Sequence, residues 1–184
     1  MPSAAERRLF WTAAATVVVA DLATKLVVES ALALRDAVPV LGDTFQLRLV
    51  YNPGAAFGLH LGPFSRWLFL AVAVGAILVL DRMSRTARGG DRLRQFACGL
   101  VAGGAFGNLV DRVRNAQGVV DFLDVGLGVH RWPTFNVADI GVSCGAILLA
   151  LSLWLEDNER ERLRTTGETA VPAPLPAADS PPRH

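Results

Sequence analysis

Two short blocks, VVDFLD at 119–124 and FNVADIG at 135–141, hold the side chains best suited to chemistry. Each offers a carboxylate, Asp121 or Asp139, and Asn136 falls on the same helical face as Asp139. Two carboxyl groups held close together cannot both ionise, so they share a proton. The ionised partner then takes a proton from a water, while the protonated one polarises a carbonyl and supports protonation of the leaving amine. Such a pair hydrolyses a peptide bond without a metal, and its two titrations belong to the pair rather than to either residue. Other routes to peptide hydrolysis lack their residues: there is no Gly-x-Ser-x-Gly elbow, no HExxH and no Cys/His arrangement. Asp124 lies beside Asp121, and Asp111 in GGAFGNLVDR is a further carboxylate, so the partner of Asp139 stays open between Asp121 and Asp111 on spacing alone. A carboxylate opening a helix also complements the helix dipole, a plainer reason for Asp139.

The elements that must position these groups are membrane helices. An apolar fraction of 52% over 184 residues, with positive mean hydropathy, exceeds that of an ordinary soluble domain. Four windows, 9–28, 63–81, 95–113 and 135–156, approach the roughly 20 apolar residues that a bilayer core of about 30 Å requires. Arg7 and Arg8, the run Arg82 to Arg94, and Arg160 to Arg164 share one side of that arrangement, which the positive-inside rule makes cytoplasmic. Both termini are then cytoplasmic, and the blocks bearing Asp121 and Asp139 fall at the opposite, outer face. The first window also reads as a cleavable export signal, but it runs on through Asp21 and Lys25 and lacks a clear cleavage site. In TFQLRLVYN, residues 44–52, apolar and polar side chains alternate, which predicts a short surface strand. VVDFLD is expected in the second outward loop. Trp132 suits the interfacial aromatic belt, and the Pro/Ala-rich tail, 165–184, is expected to be disordered.

Charged groups inside a span are costly and mark function or mutual pairing. Asp21 and Lys25 are four residues apart on one helical face, so pairing accounts for them, and they could also brace a site. Asn108, Asp111 and Arg112 follow Gly103, Gly104 and Gly107, which allow helices to approach closely. Those three polar residues are expected to form one cluster, with an Asp111–Arg112 or interhelix ion pair. Cys98 and Cys144, each in an apolar stretch, are expected as buried small hydrophobes. A net charge of +1 points to no nucleic-acid partner.

Five blocks in order, DLATK, YNPGAAFG, GGAFGNLVDR, VVDF and FNVAD, together resemble the lipoprotein (type II) signal peptidases of bacteria, over about residues 9–157. That resemblance implies an aspartic endopeptidase which removes signal peptides from diacylglyceryl-modified prolipoproteins, cutting before the lipidated cysteine at the outer face of the inner membrane. It assigns catalysis to Asp121 and Asp139 and places Asn108 and Arg112 in the site's lining. Asn136 stands beside the second aspartate, Asn52 and Gly54 border the substrate groove, and Asp21 and Lys25 occupy supporting positions. Ile140 stands where many relatives carry Ser or Thr. The expected fold is all-α and integral to the membrane: a four-helix bundle over residues 1–164 with a small β-like cradle outside. A monomer is expected, with membrane lipid and the lipid-modified precursor as partners and no metal or cofactor. A transporter or proton pathway is the main rival, and a noncatalytic scaffold for lipidated chains the second. The transporter predicts carboxylates spread through the depth of the membrane, whereas most of those here cluster near one face.

Overall fold

The structure is a computed structural model, and it describes residues 1–34, 36–54 and 64–169. Among these, four helices and four strands occur in the order α1 (Ala4–Ala31), β1 (Ala37–Leu41), β2 (Phe45–Asn52), α2 (Ser65–Arg85), α3 (Arg92–Arg114), β3 (Val119–Leu127), β4 (His130–Arg131) and α4 (Val137–Thr169). By length and composition, α1, α2 and α4 are each apolar enough to cross a membrane. The third expected span is also a helix, α3, whose 23 residues make it about 34 Å long. It falls short in apolar character because it carries Gln95, Asn108, Asp111 and Arg112. It tolerates these groups because it sits at the centre of the bundle, packed against α1, α2 and α4.

Glycine sets how closely α3 can be approached. A β-carbon on Gly103 would come within 2.6 Å of the Ala14 carbonyl oxygen of α1, so any larger residue there would drive the two helices apart. Phe10, Leu80, Cys98 and Ala102 then form a buried cluster at the arginine-rich end. Ion pairs join the elements there: Arg7 of α1 reaches Asp81 of α2 at 2.8 Å, and Arg94 of α3 reaches Glu156 of α4 at 3.1 Å.

The helices outrun the apolar windows at both ends because polar contacts extend them. At the start of α1, Ser3 and Glu6 form a reciprocal capping box, a feature worth about 1 kcal/mol. At the other end of the chain, α4 continues past 156 through Arg160, which pairs with Glu156 at 2.6 Å one turn earlier. Helix therefore reaches into the segment expected to be disordered from 165. The rest of that tail, 170–184, lies outside the described residues, as does Ala55–Gly58 of the YNPGAAFG block.

The outward segments hold more regular structure than expected. The strand foreseen at 44–51 is β2, which pairs antiparallel with β1, and β3 and β4 complete an antiparallel sheet in the order β1-β2-β3-β4. VVDFLD is therefore strand rather than loop. Its Val120 and Phe122 pack into a buried cluster with Val28 and Leu49, and Asp121, between them, points to the opposite face. An all-α description is thus incomplete, because a four-stranded sheet caps one end of the helices.

Candidate active site

Asp121 occupies the middle of that sheet, opposite Val50 of β2, and burial leaves it 3% exposed. Asp139 comes from the first turn of α4. The local sequence closes that turn as a capping box: the Asn136 side-chain oxygen accepts from the Asp139 N–H at 3.0 Å, and the Asp139 carboxylate accepts from the Asn136 N–H at 3.1 Å. Asp139 thus caps α4 and also lines a cavity.

Asn136 is the joint between the two carboxylates. Its backbone holds Oδ2 of Asp139, and its amide nitrogen donates to Oδ1 of Asp121 at 2.7 Å. The same amide donates to Oδ1 of Asn108 at 3.0 Å, and the Asn108 amide donates to Oδ1 of Asp139 at 2.8 Å. The second oxygen of Asp121 accepts from the amide of Asn52 at 3.0 Å. Asn52 is itself oriented by the Gly54 N–H, which donates to its side-chain oxygen at 3.0 Å. Each carboxylate thus has both oxygens held by N–H donors, a degree of fixation that catalysis requires.

Asn52, Gly54, Asn108, Arg112, Asp121 and Asp139 all line one half-open cavity of about 670 Å³. The rest of its lining is largely apolar and includes Trp132 and Ile140. Arg112 donates to the carbonyls of Asn108 at 3.1 Å and Gly54 at 3.3 Å, so its guanidinium is held at the rim. Burial pushes the Asp121 carboxyl up to about 7. Loss of water outweighs the donors from Asn52 and Asn136, and the negative charge of Asp139 adds to the rise. Near neutral pH this group carries a proton for much of the time.

The expected polar cluster on α3 divides. Asn108 and Arg112 face the cavity, whereas Asp111, fully buried, turns towards α1 and pairs with Lys25 at 2.7 Å. The expected ion pair is thus the interhelix one, supplemented by Arg114 at 3.0 Å, and it does not involve Arg112. Asp21 and Lys25 pair at 2.7 Å as their spacing predicts. They lie a layer below the cavity rather than in its lining. Asp124, also buried, is engaged instead by Arg131 at 2.5 Å and Arg48 at 3.2 Å. Cys98 is buried as expected, but Cys144 is exposed and lines the cavity.

Sequence reasoning missed a second line of polar residues at this end. Tyr51, another lining residue, donates to Glu29 at 3.3 Å, and Glu29 pairs with Arg114 at 2.6 Å. The adjacency of Tyr51 to Asn52 was the available signal, but its partners come from distant segments. Arg66 of α2 donates to the Arg112 carbonyl at 2.5 Å and the Val113 carbonyl at 2.9 Å, satisfying the end of α3.

Comparison with known proteins agrees with this arrangement. The sequence pattern of the family described as "Signal peptidase (SPase) II" matches residues 13–155. The chain is 39% identical over 164 residues to a lipoprotein signal peptidase of Treponema denticola, covering 82% of this chain and 91% of that one. It is 45% identical over 150 residues to a lipoprotein signal peptidase of Rhodococcus jostii, covering 79% and 72%. Among solved structures, a bacterial membrane enzyme determined by the in meso method at 2.3 Å resolution superposes with a TM-score of 0.72 at 29% identity, covering 81% of this chain and 88% of the other. With the family pattern spanning most of its length and two aspartates meeting across Asn136, the chain belongs to the signal peptidase II family of membrane proteases.

Proposed function

We propose that Asp121 and Asp139 are the catalytic pair of this protease and that the cavity they share receives the scissile bond. As a signal peptidase II, the enzyme removes signal peptides from prolipoproteins. The reading here is finer: the substrate is a diacylglyceryl-modified precursor, cut immediately before the lipidated cysteine. The observation that carries it is the shared attachment to Asn136, which brings one carboxylate from a strand and one from a helix to the same wall.

In this reading Asp121 supplies the proton, since burial raises its carboxyl to about 7 and it holds a proton for much of the time near neutral pH. A water between the carboxyls loses a proton to Asp139 as its oxygen attacks the carbonyl carbon. The Asp121 proton passes to the carbonyl oxygen, giving a neutral tetrahedral adduct. Collapse of that adduct returns a proton to Asp121, breaks the C–N bond, and sends the proton on Asp139 to the leaving amine. The water is consumed and both carboxyls regain their starting states. Arg112 and Asn52 border the peptide, and the apolar wall suits the lipid chains.

The arginine distribution supports four spans with both termini cytoplasmic and the site at the outer face. One chain supplies both carboxylates and the Asn52, Asn108 and Asn136 amides that hold them, which supports a monomer as the working unit. The transporter gains no support from Asp21, Lys25 and Asp111, which are fully buried and paired with one another.

The test is cleavage of a diacylglyceryl-modified precursor by the purified full chain in detergent. Asp121→Asn and Asp139→Asn should each lower kcat by at least about a thousandfold while the proteins stay folded. A chelator should leave the rate unchanged. Turnover by either folded variant would reassign the pair.

A further inference from the structure

Three charges are sealed between α1 and α3 with no exposure: Asp21, Lys25 and Asp111. Burying ions is costly, and such groups replaced by apolar ones of similar size often leave a protein as stable or more so. Their hydrogen bonds show what else they do. Lys25 Nζ lies 2.7 Å from Oδ2 of Asp21 and 2.7 Å from Oδ2 of Asp111. The other oxygen of Asp21 accepts from the backbone N–H of Ala138 at 2.9 Å. The Asp111 carboxylate accepts from the backbone N–H of Val120 at 3.1 Å. Ala138 immediately precedes Asp139, and Val120 immediately precedes Asp121.

We propose that Asp21, Lys25 and Asp111 are positioning residues for catalysis, a buried clamp that sets the distance between the two aspartates by holding the backbone N–H of the residue before each of them. The proposal rests on the assignment of Asp121 and Asp139 above. One ammonium draws together two carboxylates, each of which fixes one peptide N–H, so the helix α4 and the strand β3 are located relative to the same point. Lys25 has a further contact: it donates to Oδ1 of Asn108 at 3.1 Å, and Asn108 donates onward to Asp139. Arg114, on the other oxygen of Asp111, balances the second negative charge.

The bundle is shaped to admit this clamp. A β-carbon on Gly107 would lie 2.5 Å from Oδ2 of Asp21 and 3.3 Å from the β-carbon of Ala138. Glycine there leaves room for the carboxylate to reach both Lys25 and Ala138. An alanine would press on the clamp while changing no charge.

Two charge-neutral double variants separate positioning from stability. Lys25→Met with Asp21→Asn keeps an amide oxygen for the Ala138 N–H, and Lys25→Met with Asp21→Leu removes it. Both leave Asp111 paired with Arg114. Cleavage of the diacylglyceryl-modified precursor is measured per folded molecule, with folding followed by gel filtration and thermal midpoint. A misplacement near 1 Å at the reacting groups costs about a hundredfold. We expect kcat about tenfold lower for the Asn variant and about a hundredfold lower for the Leu variant, with KM within about twofold of wild type in both. Restoring Lys25 in the Asp21→Asn background should recover part of the loss.

Equal kcat in the two folded doubles, or a loss confined to KM, would overturn the clamp. If neither double folds, Gly107→Ala decides with every charge present: kcat about tenfold lower at unchanged KM supports the clamp, and wild-type kcat refutes it. Asp139→Asn runs alongside as a control. Should that variant cleave, the assignment of the pair fails, whereas full activity in the clamp variants with an inactive Asp139→Asn sinks the clamp alone.

Discussion

Replacing Asp121 by asparagine should abolish cleavage and at the same time stabilise the protein at alkaline pH. The carboxyl is 3% exposed, and burial raises it from the ordinary 3.8 to about 7. Below pH 3.8 it is protonated whether the chain is folded or unfolded, so it contributes no pH-dependent difference. Between 3.8 and 7 the unfolded chain releases the proton while the folded chain retains it, and stability declines as pH rises. Above 7 both states are ionised and the penalty is complete, with the gap between 3.8 and about 7 worth about 4 kcal/mol. Asparagine cannot ionise and escapes that penalty.

It carries a cost of its own, however. Both oxygens of Asp121 accept from amides, of Asn136 at 2.7 Å and Asn52 at 3.0 Å, so an NH2 group must face one of those donors. A buried donor left unpaired costs roughly 1–3 kcal/mol. That term does not vary with pH, so it offsets the curve without changing its slope. The assay is thermal unfolding in detergent, followed through the four tryptophans, for both proteins from pH 4 to pH 8. For a chain of this size 1 kcal/mol moves the midpoint by about 2–4 °C. The difference between variant and wild type should therefore rise by roughly 10 °C across that range. Wild-type kcat should fall as pH climbs through 7, since the proton donor is lost. Midpoint curves that run parallel would refute the reasoning, because they would mean that Asp121 ionises as easily in the folded chain as in the unfolded one.

Asn136→Ala removes the cap of α4 together with the amide joining the carboxylates. It should destabilise the protein by about 2–4 kcal/mol, seen as a lower thermal midpoint, and reduce kcat by at least about a hundredfold in the folded fraction. Arg112→Lys keeps the charge but cannot reach the Asn108 and Gly54 carbonyls in the same forked geometry. Steady-state kinetics should show kcat/KM lower by about tenfold with little change in midpoint.

The residues that line the cavity were more legible than the scaffold that holds them. Asn52, Asn108, Arg112, Asp121 and Asp139 were all foreseen, and all line one cavity. Cys144 was misread because an apolar stretch does not tell which face of α4 is covered, and that face opens onto the cavity. The spacing of Asn108, Asp111 and Arg112 predicts one cluster, but Asp111 and Arg112 are consecutive and point about 100° apart around the helix, so Asp111 meets α1 while Arg112 meets the cavity.

Composition and spacing alone pointed to a membrane chain, to the three helices apolar enough to span, to the Asp21–Lys25 pair and to the acidic groups at one end, because hydrophobic length and i,i+4 geometry are local properties. They could not decide between Asp111 and Asp121 as the partner of Asp139. The proposed choice of Asp121 rests on which side of α3 faces α1 and on VVDFLD becoming the third strand of a sheet, outcomes set by pairing with β2 and by packing of Val120 and Phe122 against Val28 and Leu49. Those contacts join segments far apart in the chain, so only the folded arrangement determines them: Lys25 neutralises Asp111 in the interior, and Asp121 is left beside Asn136 at the cavity.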